Sequence, residues 1–229
     1  MAPVTRISRL GFVNCYLVDE DDGLTLVDTM IPRSAKAILA VAERLGKPIV
    51  RIALTHSHMD HIGSLDQLAA LLPDAEVSIG TREARLLAGE KTLDPGEEKG
   101  KLRGSYTGAK TKPDRMLEPG DRVRSLEVLA APGHTPGQVA FLDTRDRTLY
   151  CGDAYYTLGG VATAATANLL FPLPATATWH KPTAVETARA LRALEPTALA
   201  TGHGKVVEAP GPAMDAAIAK ARKFETAAG

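Results

Sequence analysis

The sequence feature that most constrains this chain is the window Thr55–Gly63, which reads Thr-His-Ser-His-Met-Asp-His-Ile-Gly and holds half of its histidines. It follows directly on Pro48–Leu54, a largely apolar and β-branched run that is typical of a buried strand. Apolar residues at helical spacing, Ile62, Leu65 and Leu68, predict a helix next. A polar cluster at such a junction is typical of layered α/β proteins, in which ligands gather at strand ends.

The order of residues inside this window favours metal binding over a set of unrelated histidines. Residues two apart in an extended chain project to the same side, so His56 and His58 can hold one ion together. Asp60 and His61 begin the turn into the helix and can face a second ion. We therefore interpret the His-x-His-x-Asp-His pattern as one part of a metal site.

Three further residues with ligand chemistry each follow a predicted strand. They are His134 after Leu126–Ala131, Asp153 after Thr148–Cys151, and His203 after Ala198–Thr201. Strand ends therefore supply seven candidate metal ligands, namely His56, His58, Asp60, His61, His134, Asp153 and His203. The remaining histidine, His180, has no supporting spacing and is interpreted as an ordinary loop residue.

The donor types indicate which metals and which chemistry this set suits. Imidazole and carboxylate groups suit zinc, and the same donors accept iron, manganese or cobalt. Three protein ligands and a water complete one tetrahedral ion, which leaves the open position that hydrolysis needs. A carboxylate can bridge two ions because its two oxygens can point at different metals. We therefore expect two divalent metal ions as cofactors, with Zn2+ the first choice.

Strands and helices alternate along the chain, and this order predicts an α/β layered architecture. No linker rich in proline or glycine divides the pattern, so residues 1–229 are expected to form one domain. The segments 89–115 and 154–181 lack periodicity and are expected to be irregular.

Local signals mark the boundaries of two predicted helices. Ser34 is a candidate N-cap of the first, and Gly46 is placed to end it. Thr183 and Glu186 have the spacing of a capping box, which predicts that a later helix begins at about residue 182.

The charge balance and the hydropathy pattern disfavour several kinds of partner. Lysine plus arginine total 27 and aspartate plus glutamate total 27, so no basic excess favours nucleic acid. No apolar run approaches the roughly 20 residues of a membrane span, and no signal-peptide stretch follows the N-terminus. We expect a small-molecule substrate, a cytoplasmic location and reduced thiols at Cys15 and Cys151. The sequence leaves the oligomeric state open, with a homodimer as one option.

Taken together, the motifs resemble those of the metallo-β-lactamase-fold hydrolases over nearly the whole chain. The matching pieces are Leu26–Thr29, Thr55–Gly63, Pro132–Gly137, Cys151–Ala154 and Gly202–Gly204. The resemblance implies a four-layered αββα sandwich with the site at one edge. It implies one metal held by His56, His58 and His134, a second held by Asp60, His61 and His203, and Asp153 as the bridge. By the same analogy Asp28 contacts a metal-ligating residue without binding the metal itself. A role as a turn residue at the end of a strand explains this aspartate equally well.

Within that family the sequence favours some branches over others. Asp153 stands where the best-known zinc β-lactamases carry cysteine, and few residues follow His203, unlike in full-length glyoxalase II. The N-acyl homoserine lactonases share the ligand set and carry a tyrosine three residues after the bridging aspartate, as Tyr156 does here. A phenol at that place could donate a hydrogen bond to a developing oxyanion, and packing is the other interpretation.

The resemblance thus implies metal-assisted hydrolysis of a lactone or carboxylic ester, with Asp60 holding or relaying a proton. A glyoxalase II-like thioesterase and an iron-dependent oxidoreductase similar to persulfide dioxygenases remain alternatives. The uncharged stretch 161–179 could line a pocket for an acyl chain, and the loop at 89–115 could act as a lid.

Overall fold

The computed structural model describes residues 4–225, which form fourteen strands and seven α-helices. The strands are β1 (Thr5–Arg9), β2 (Val13–Glu20), β3 (Gly23–Val27), β4 (Ile49–Leu54), β5 (Glu76–Gly80), β6 (Arg115–Leu117), β7 (Arg122–Val123), β8 (Leu126–Ala130), β9 (Val139–Asp143), β10 (Thr148–Tyr150), β11 (Tyr155–Tyr156), β12 (Ala162–Thr163), β13 (Ala198–Ala200) and β14 (Val207–Glu208). The helices are α1 (Ala35–Leu45), α2 (Met59–Ile62), α3 (Leu65–Leu71), α4 (Thr81–Leu87), α5 (Leu173–Ala177), α6 (Lys181–Ala193) and α7 (Gly211–Ala221).

Each half of the chain builds one six-stranded sheet. The first sheet has the order β1-β2-β3-β4-β5-β6, in which β3 to β6 are parallel neighbours. The second has the order β14-β13-β10-β9-β8-β7, in which β10 and β13 are parallel and the other pairs are antiparallel. The strands β11 and β12 form a separate two-stranded ribbon.

The two faces of the first sheet bury different partners because side chains alternate along a strand. On β2, Cys15 and Leu17 join the apolar cluster that contains Ile38 of α1. Tyr16 and Val18 point the other way and join the cluster between the two sheets. The first sheet therefore has helices on one face and the second sheet on the other.

The second sheet alternates in the same manner. On β9, Phe141 joins Val128 of β8 in the cluster between the sheets. Ala140 and Leu142 face outward and pack in a cluster with Leu191 of α6. The layers thus run helix, sheet, sheet, helix, which confirms the expected αββα sandwich.

The boundaries of α1 follow the sequence signals at one end only. Gly46 ends the helix in the left-handed conformation at φ 68°, as expected of a C-terminal glycine. Ser34 occupies the N-cap, but its hydroxyl donates to the carbonyl of Ile31 and makes no capping hydrogen bond.

The predicted start of α6 is confirmed to within one residue, but the capping residue is different. The helix begins at Lys181, and the N-cap is His180, whose Nδ1 accepts from the backbone N–H of Thr183. Because an imidazole nitrogen takes the place of a capping hydroxyl, Thr183 lies inside the helix and does not form the capping box expected with Glu186. His180 is therefore a capping residue and not an ordinary loop residue.

The two segments expected to be irregular have different outcomes. Between α4 and β6 the described chain forms neither helix nor strand, as expected. The expectation for 154–181 is wrong, since β11, β12 and α5 lie within it. These elements have two to five residues, so they are too short to show a period and form through tertiary packing.

The structure tests the expectations about the two cysteines and about membrane-spanning helices. Cys15 and Cys151 are free and buried, as expected of reduced core thiols. Among the helices of residues 4–225, none has both the length and the apolar character needed to cross a bilayer.

Gly133 provides a test of how the loop after β8 is packed against α6. It has φ 125°, and an added Cβ would lie 2.4 Å from the backbone nitrogen of Ala184. Gly120 has a similar φ of 96° with nothing within 4 Å of such a Cβ. We expect Gly120→Ala to lower the free energy of unfolding by about 1–2 kcal/mol through strain alone. Gly133→Ala should cost roughly 2 kcal/mol more, because the backbone must also shift.

Denaturant unfolding followed by circular dichroism measures both variants. Equal losses in the two variants would contradict the close contact between this loop and α6.

Candidate metal centre

The functional side chains lie where strands of both sheets end at one edge. His56 follows β4, which is parallel to β3, and the loop after β3 carries Asp28. In the second sheet His134, Asp153 and His203 follow β8, β10 and β13. These three strands point the same way, because β8 and β10 both run antiparallel to β9, and β13 is parallel to β10. The topology therefore brings all the strand-end residues together.

Backbone hydrogen bonds join the two sheets at this same edge. The N–H of Asn14 donates to the carbonyl of Gly202 at 2.9 Å, and the N–H of Val139 donates to the carbonyl of Thr55 at 3.0 Å. These bonds connect the loops that carry His56 and His203 to strands of the opposite sheet, which fixes their separation.

The first group of candidate ligands is His56, His58 and His134. One nitrogen from each ring lies within 4.8 Å of the others, and all three side chains are buried. The Nδ1 of His58 lies 3.0 Å from the Nε2 of His134. This is the set that the family resemblance implies for one metal.

The second group is Asp60, His61 and His203, whose ligand atoms also lie within 4.8 Å of one another. The Nε2 of His203 lies 3.2 Å from the Oδ2 of Asp60. Asp60 is the most accessible member, with 32% of its side chain exposed.

Asp153 lies between the two groups. Its Oδ1 is 3.3 Å from the Nε2 of His61, and its Oδ2 is 3.5 Å from the Nε2 of His134. Its carboxylate therefore reaches one histidine from each group, which is the position that a bridging ligand requires.

The residues present fit a metal centre, as unsatisfied polar atoms show. The Nε2 atoms of His56 and His61 and the Oδ1 of Asp153 are buried and make no hydrogen bond of acceptable angle in the described structure, although the last two lie 3.3 Å apart. Leaving buried polar atoms unpaired is costly, on the order of 1–3 kcal/mol each. Nitrogen and carboxylate lone pairs that converge in this way are satisfied by a shared cation.

The outer ring nitrogen of each of the five histidines has its own partner. These contacts join His56 to Thr55 Oγ1 (3.0 Å), His58 to the Arg103 carbonyl (2.9 Å), His61 to Asp28 Oδ2 (2.8 Å), His134 to Thr178 Oγ1 (3.1 Å) and His203 to the Phe12 carbonyl (3.3 Å). His58 uses Nε2 for this contact and the other four use Nδ1. Such contacts fix ring orientation and tautomer, so every ring presents a defined nitrogen to the cluster.

Asp28 supports the cluster and also shapes the turn after β3. Its Oδ1 accepts from the backbone N–H of Thr55 at 2.8 Å, while its Oδ2 contacts His61. Its φ of 62° is uncommon for a residue with a side chain. Asp28 therefore has both of the expected roles. It is a turn residue at the end of a strand, and it contacts the candidate ligand His61.

The charges of the cluster depend on one another. Burial opposes protonation of His61, but the neighbouring carboxylates of Asp153 and Asp28 outweigh it and raise the pKa of His61 well above its usual value. Burial likewise raises the pKa of Asp153, but His203 and His61 outweigh it and hold that pKa well below its usual range. The same carboxylates that favour a proton on His61 would favour a cation bound beside it.

Sequence reasoning missed Glu83, which lies in the first turn of α4. Its fully buried carboxylate accepts from Ser57 N–H (2.9 Å) and Oγ (2.5 Å), and from Thr135 Oγ1 (2.5 Å) and Gly137 N–H (3.1 Å). Burial raises the pKa of Glu83, and these hydrogen bonds oppose the rise. Glu83 thus joins the loop of His56 and His58 to the loop of His134. An acidic residue early in a helix is common, so no local pattern distinguished it.

The hydroxyl of Tyr156 already has a hydrogen-bond partner within the protein. Its side chain is fully buried, and its hydroxyl donates to the carbonyl of Thr166 at 2.5 Å. Burial raises its pKa to about 12. A contact of this phenol with an oxyanion stays a prediction, and it would compete with the hydrogen bond to Thr166.

A cavity of about 90 Å³ opens onto the cluster. Its polar wall contains His58, Asp60, His134, Asp153 and His203. Its remaining wall is mostly apolar and contains Phe12, Gly104, Ser105, Phe171, Leu173, Pro174 and Ala177. A larger cavity of about 510 Å³ lies elsewhere and contains none of the ligand-type residues of the cluster.

Comparison with known proteins agrees with this geometry. The sequence profile described as "Metallo-beta-lactamase superfamily" matches residues 8–203. The chain is 44% identical to the uncharacterized protein YobT of Bacillus subtilis (strain 168), over 96% of this chain and 95% of that one. It is 30% identical to the probable metallo-hydrolase YflN of the same organism, over 87% of this chain and 81% of that one. It is 28% identical to a hydroxyacylglutathione hydrolase of Trichormus variabilis, over 68% of this chain and 55% of that enzyme.

Solved structures with a similar fold include a di-iron-bound form of TTHA1623. That chain is 25% identical, with a TM-score of 0.64 over 93% of this chain and 97% of its own length. The BLEG-1 B3 metallo-beta-lactamase has a TM-score of 0.67 at 22% identity, over 93% of this chain and 97% of that one, and shows likeness of fold alone.

Asp28→Asn tests the support of His61. An asparagine side chain has only one acceptor oxygen, so it cannot accept hydrogen bonds from both Thr55 and His61. We therefore expect the affinity for one of the two ions to fall about 10–100-fold. Competition with a chromophoric chelator measures the loss, with Asp74→Asn, an exposed position, as the matched control. Unchanged affinity for both ions would contradict the contact between Asp28 and His61.

Glu83→Gln tests the link between the two loops of the first group. One carboxylate oxygen becomes an NH2 group that faces donors, so we expect a loss of about 2 kcal/mol in the free energy of unfolding. Metal binding to the His56, His58 and His134 group should weaken more than binding to the second group. Glu76→Gln, at an exposed position at the start of β5, is the control. Equal weakening at both groups would show that Glu83 acts only on overall stability.

Proposed function

The chain belongs to the metallo-beta-lactamase superfamily, and from this premise we propose that it is a dinuclear metal hydrolase of lactones or carboxylic esters. The observation that carries the proposal is the pair of three-residue groups joined by Asp153, with unsatisfied ligand atoms facing inward. His56, His58 and His134 would hold one ion, Asp60, His61 and His203 the other, and Asp153 would bridge them. Two divalent ions bound there would supply Lewis acidity toward a carbonyl oxygen and lower the pKa of a shared water.

Asp60 is the residue that we propose for proton handling. It lines the cavity, and its partly exposed carboxylate is the member of the cluster that solvent reaches most easily. Burial raises its pKa, but the hydrogen bond with His203 outweighs this and holds the pKa of Asp60 below its usual value. A carboxylate kept ionised at the mouth of the site can accept a proton and return it to a leaving group.

The apolar wall of the cavity supports a neutral carbonyl substrate with an apolar acyl part. Phe12, Phe171 and Leu173 face the same space as the ligand residues. An apolar wall beside polar ligand groups is suited to bind an apolar part of a substrate. The proposal assigns no step to Tyr156, because its hydroxyl is bonded to Thr166.

The proposal includes a small molecule as the substrate, in place of a nucleic acid or a membrane. The formal net charge of zero supports it, because no basic excess favours a nucleic acid. The cytoplasmic location and the oligomeric state stay predictions from the sequence.

A thioesterase is the second candidate. It is favoured by the similarity to hydroxyacylglutathione hydrolases, since the Trichormus variabilis enzyme matches 68% of this chain over 55% of its own length. Thioesters and esters present the same carbonyl carbon to such a site, so the ligand geometry serves both. A third candidate is an iron-dependent oxidoreductase. It depends on which metal is bound, because the di-iron-bound neighbour has a similar fold and nitrogen and oxygen donors accept iron.

Turnover by purified protein of known metal content tests the proposal. We expect about two ions per chain and hydrolysis of acyl homoserine lactones or aryl esters that is lost with chelator and restored by metal. The control is Asp153→Ala, which should lose both the second ion and the activity.

The competing outcomes are separable in the same panel. Activity on S-lactoylglutathione alone would replace the ester assignment with the thioesterase. Bound iron with oxygen uptake and no hydrolysis would overturn the hydrolase proposal.

A further inference from the structure

A second cavity, of about 330 Å³, lies behind the segments that cover the metal cavity. It is lined by Arg103, Lys181, Trp179, Thr178, Thr176 and two alanines. The adjoining residues Gly104, Ser105, Pro174 and Ala177 line the metal cavity instead. The two cavities therefore share a thin wall made of the loop around residue 104 and helix α5.

The charges in this second cavity are of one sign. Arg103 and Lys181 both line it, and no carboxylate of residues 4–225 forms an ion pair with either. Partial burial, Arg103 and then Lys223 all lower the pKa of Lys181, and no carboxylate opposes them. The ring of Phe224, 4.5 Å from the Lys181 ammonium, is the contact that partly compensates its charge.

Two arginines of helix α4, in contrast, form ion pairs with carboxylates of the neighbouring loop. Arg82 pairs with Glu97 at 2.6 Å, and Arg85 pairs with Asp94 and Glu90. These pairs tie the same loop to α4, so the chain has acidic residues available in this region. Acidic residues of this loop therefore pair with arginines of α4, and none of them pairs with the two cations that line the basic cavity.

We propose that this basic cavity binds a small anionic group, a carboxylate or a phosphate, between Arg103 and Lys181. A guanidinium can bind two oxygens of such a group at once, and an ammonium adds a third charge-assisted hydrogen bond. The anion relieves the repulsion between the two cations. The indole of Trp179 supplies a flat apolar wall for the group that carries the anion.

The position of this site couples it to the metal centre. The main-chain carbonyl of Arg103 contacts the Nε2 of His58 at 2.9 Å, so an anion on the Arg103 side chain steadies the segment that orients His58. On the opposite wall, the hydroxyl of Thr178 contacts the Nδ1 of His134 at 3.1 Å. Both walls of the basic cavity thus touch histidines of the first group.

The anionic group has two possible sources. It is either an independent small anion, or a carboxylate or phosphate of the substrate itself, which then extends across the shared wall. The chemistry of recognition is the same in both cases, and the experiment distinguishes them.

Trp179 reports on this cavity directly, because it is the single tryptophan of the chain. We would titrate metal-free protein with inorganic phosphate or succinate at constant ionic strength and follow the indole fluorescence. We expect a saturable change, with affinity about tenfold weaker or more in Arg103→Gln and in Lys181→Gln. The control is Arg44→Gln, an exposed position at the end of α1, which should behave as wild type.

The two variants lie on different elements, and circular dichroism verifies that each is folded. A change that does not saturate, or that is the same in both variants and in wild type, would overturn the proposal. Since the titration uses metal-free protein, this result does not depend on the hydrolase assignment.

A second arm identifies the source and rests on the proposed function. It compares the KM of each variant for a neutral aryl ester and for a matched ester that carries a carboxylate. A rise in KM for the charged ester alone assigns the site to the substrate. Lost phosphate binding with equal KM values for both esters assigns it to an independent anion. If neither ester is hydrolysed, the proposed function fails while the titration still decides the site.

Discussion

The convergence of five imidazoles and two carboxylates in one buried place is the constraint on which the rest of the structure depends. Burying so many polar groups is costly unless each has a partner with good geometry. The fold meets this requirement from outside, since every outer ring nitrogen is bonded to the protein. The inner atoms of His56, His61 and Asp153 remain unsatisfied and face one another. Because the outer ring nitrogens have protein partners and these inner atoms do not, the cluster is arranged to bind cations.

The two sheets contribute differently to this arrangement. The parallel strands β3 and β4 bring Asp28 beside the loop of His56, and the second sheet supplies Asp153 from the end of β10. The backbone bonds from Asn14 and Val139 to the opposite sheet hold these edges together. The apolar core between the sheets therefore does more than stabilise the chain, because its thickness sets the distance across which the ligands meet.

The sequence predicted the features that depend on local, repeating patterns. It did not predict the contacts between residues that are far apart in the chain. The apolar runs of β4 and β10 and the spacing of His56 and His58 are readable along the chain, because strand period and strand-end position are local properties. Glu83 was not readable, since its partners lie about 26 and 52 residues away. Tyr156 shows the opposite limit. Its spacing from Asp153 matches a motif, but the spacing alone did not reveal that the carbonyl of Thr166 is the partner of its hydroxyl.

The loop between α4 and β6 links access to the site with the geometry of its ligands. Asp66 accepts from the backbone of Thr111 near one end of the loop, and Glu97 pairs with Arg82 near the other. Between these anchors, the carbonyl of Arg103 contacts His58. The metal cavity of about 90 Å³ is smaller than the roughly 300–1,000 Å³ typical of small-molecule sites. The cavity as it stands therefore accommodates only part of such a molecule. Because the Arg103 carbonyl is the partner of the outer nitrogen of His58, a movement of this loop that breaks the contact would also free the ring of a metal ligand to turn.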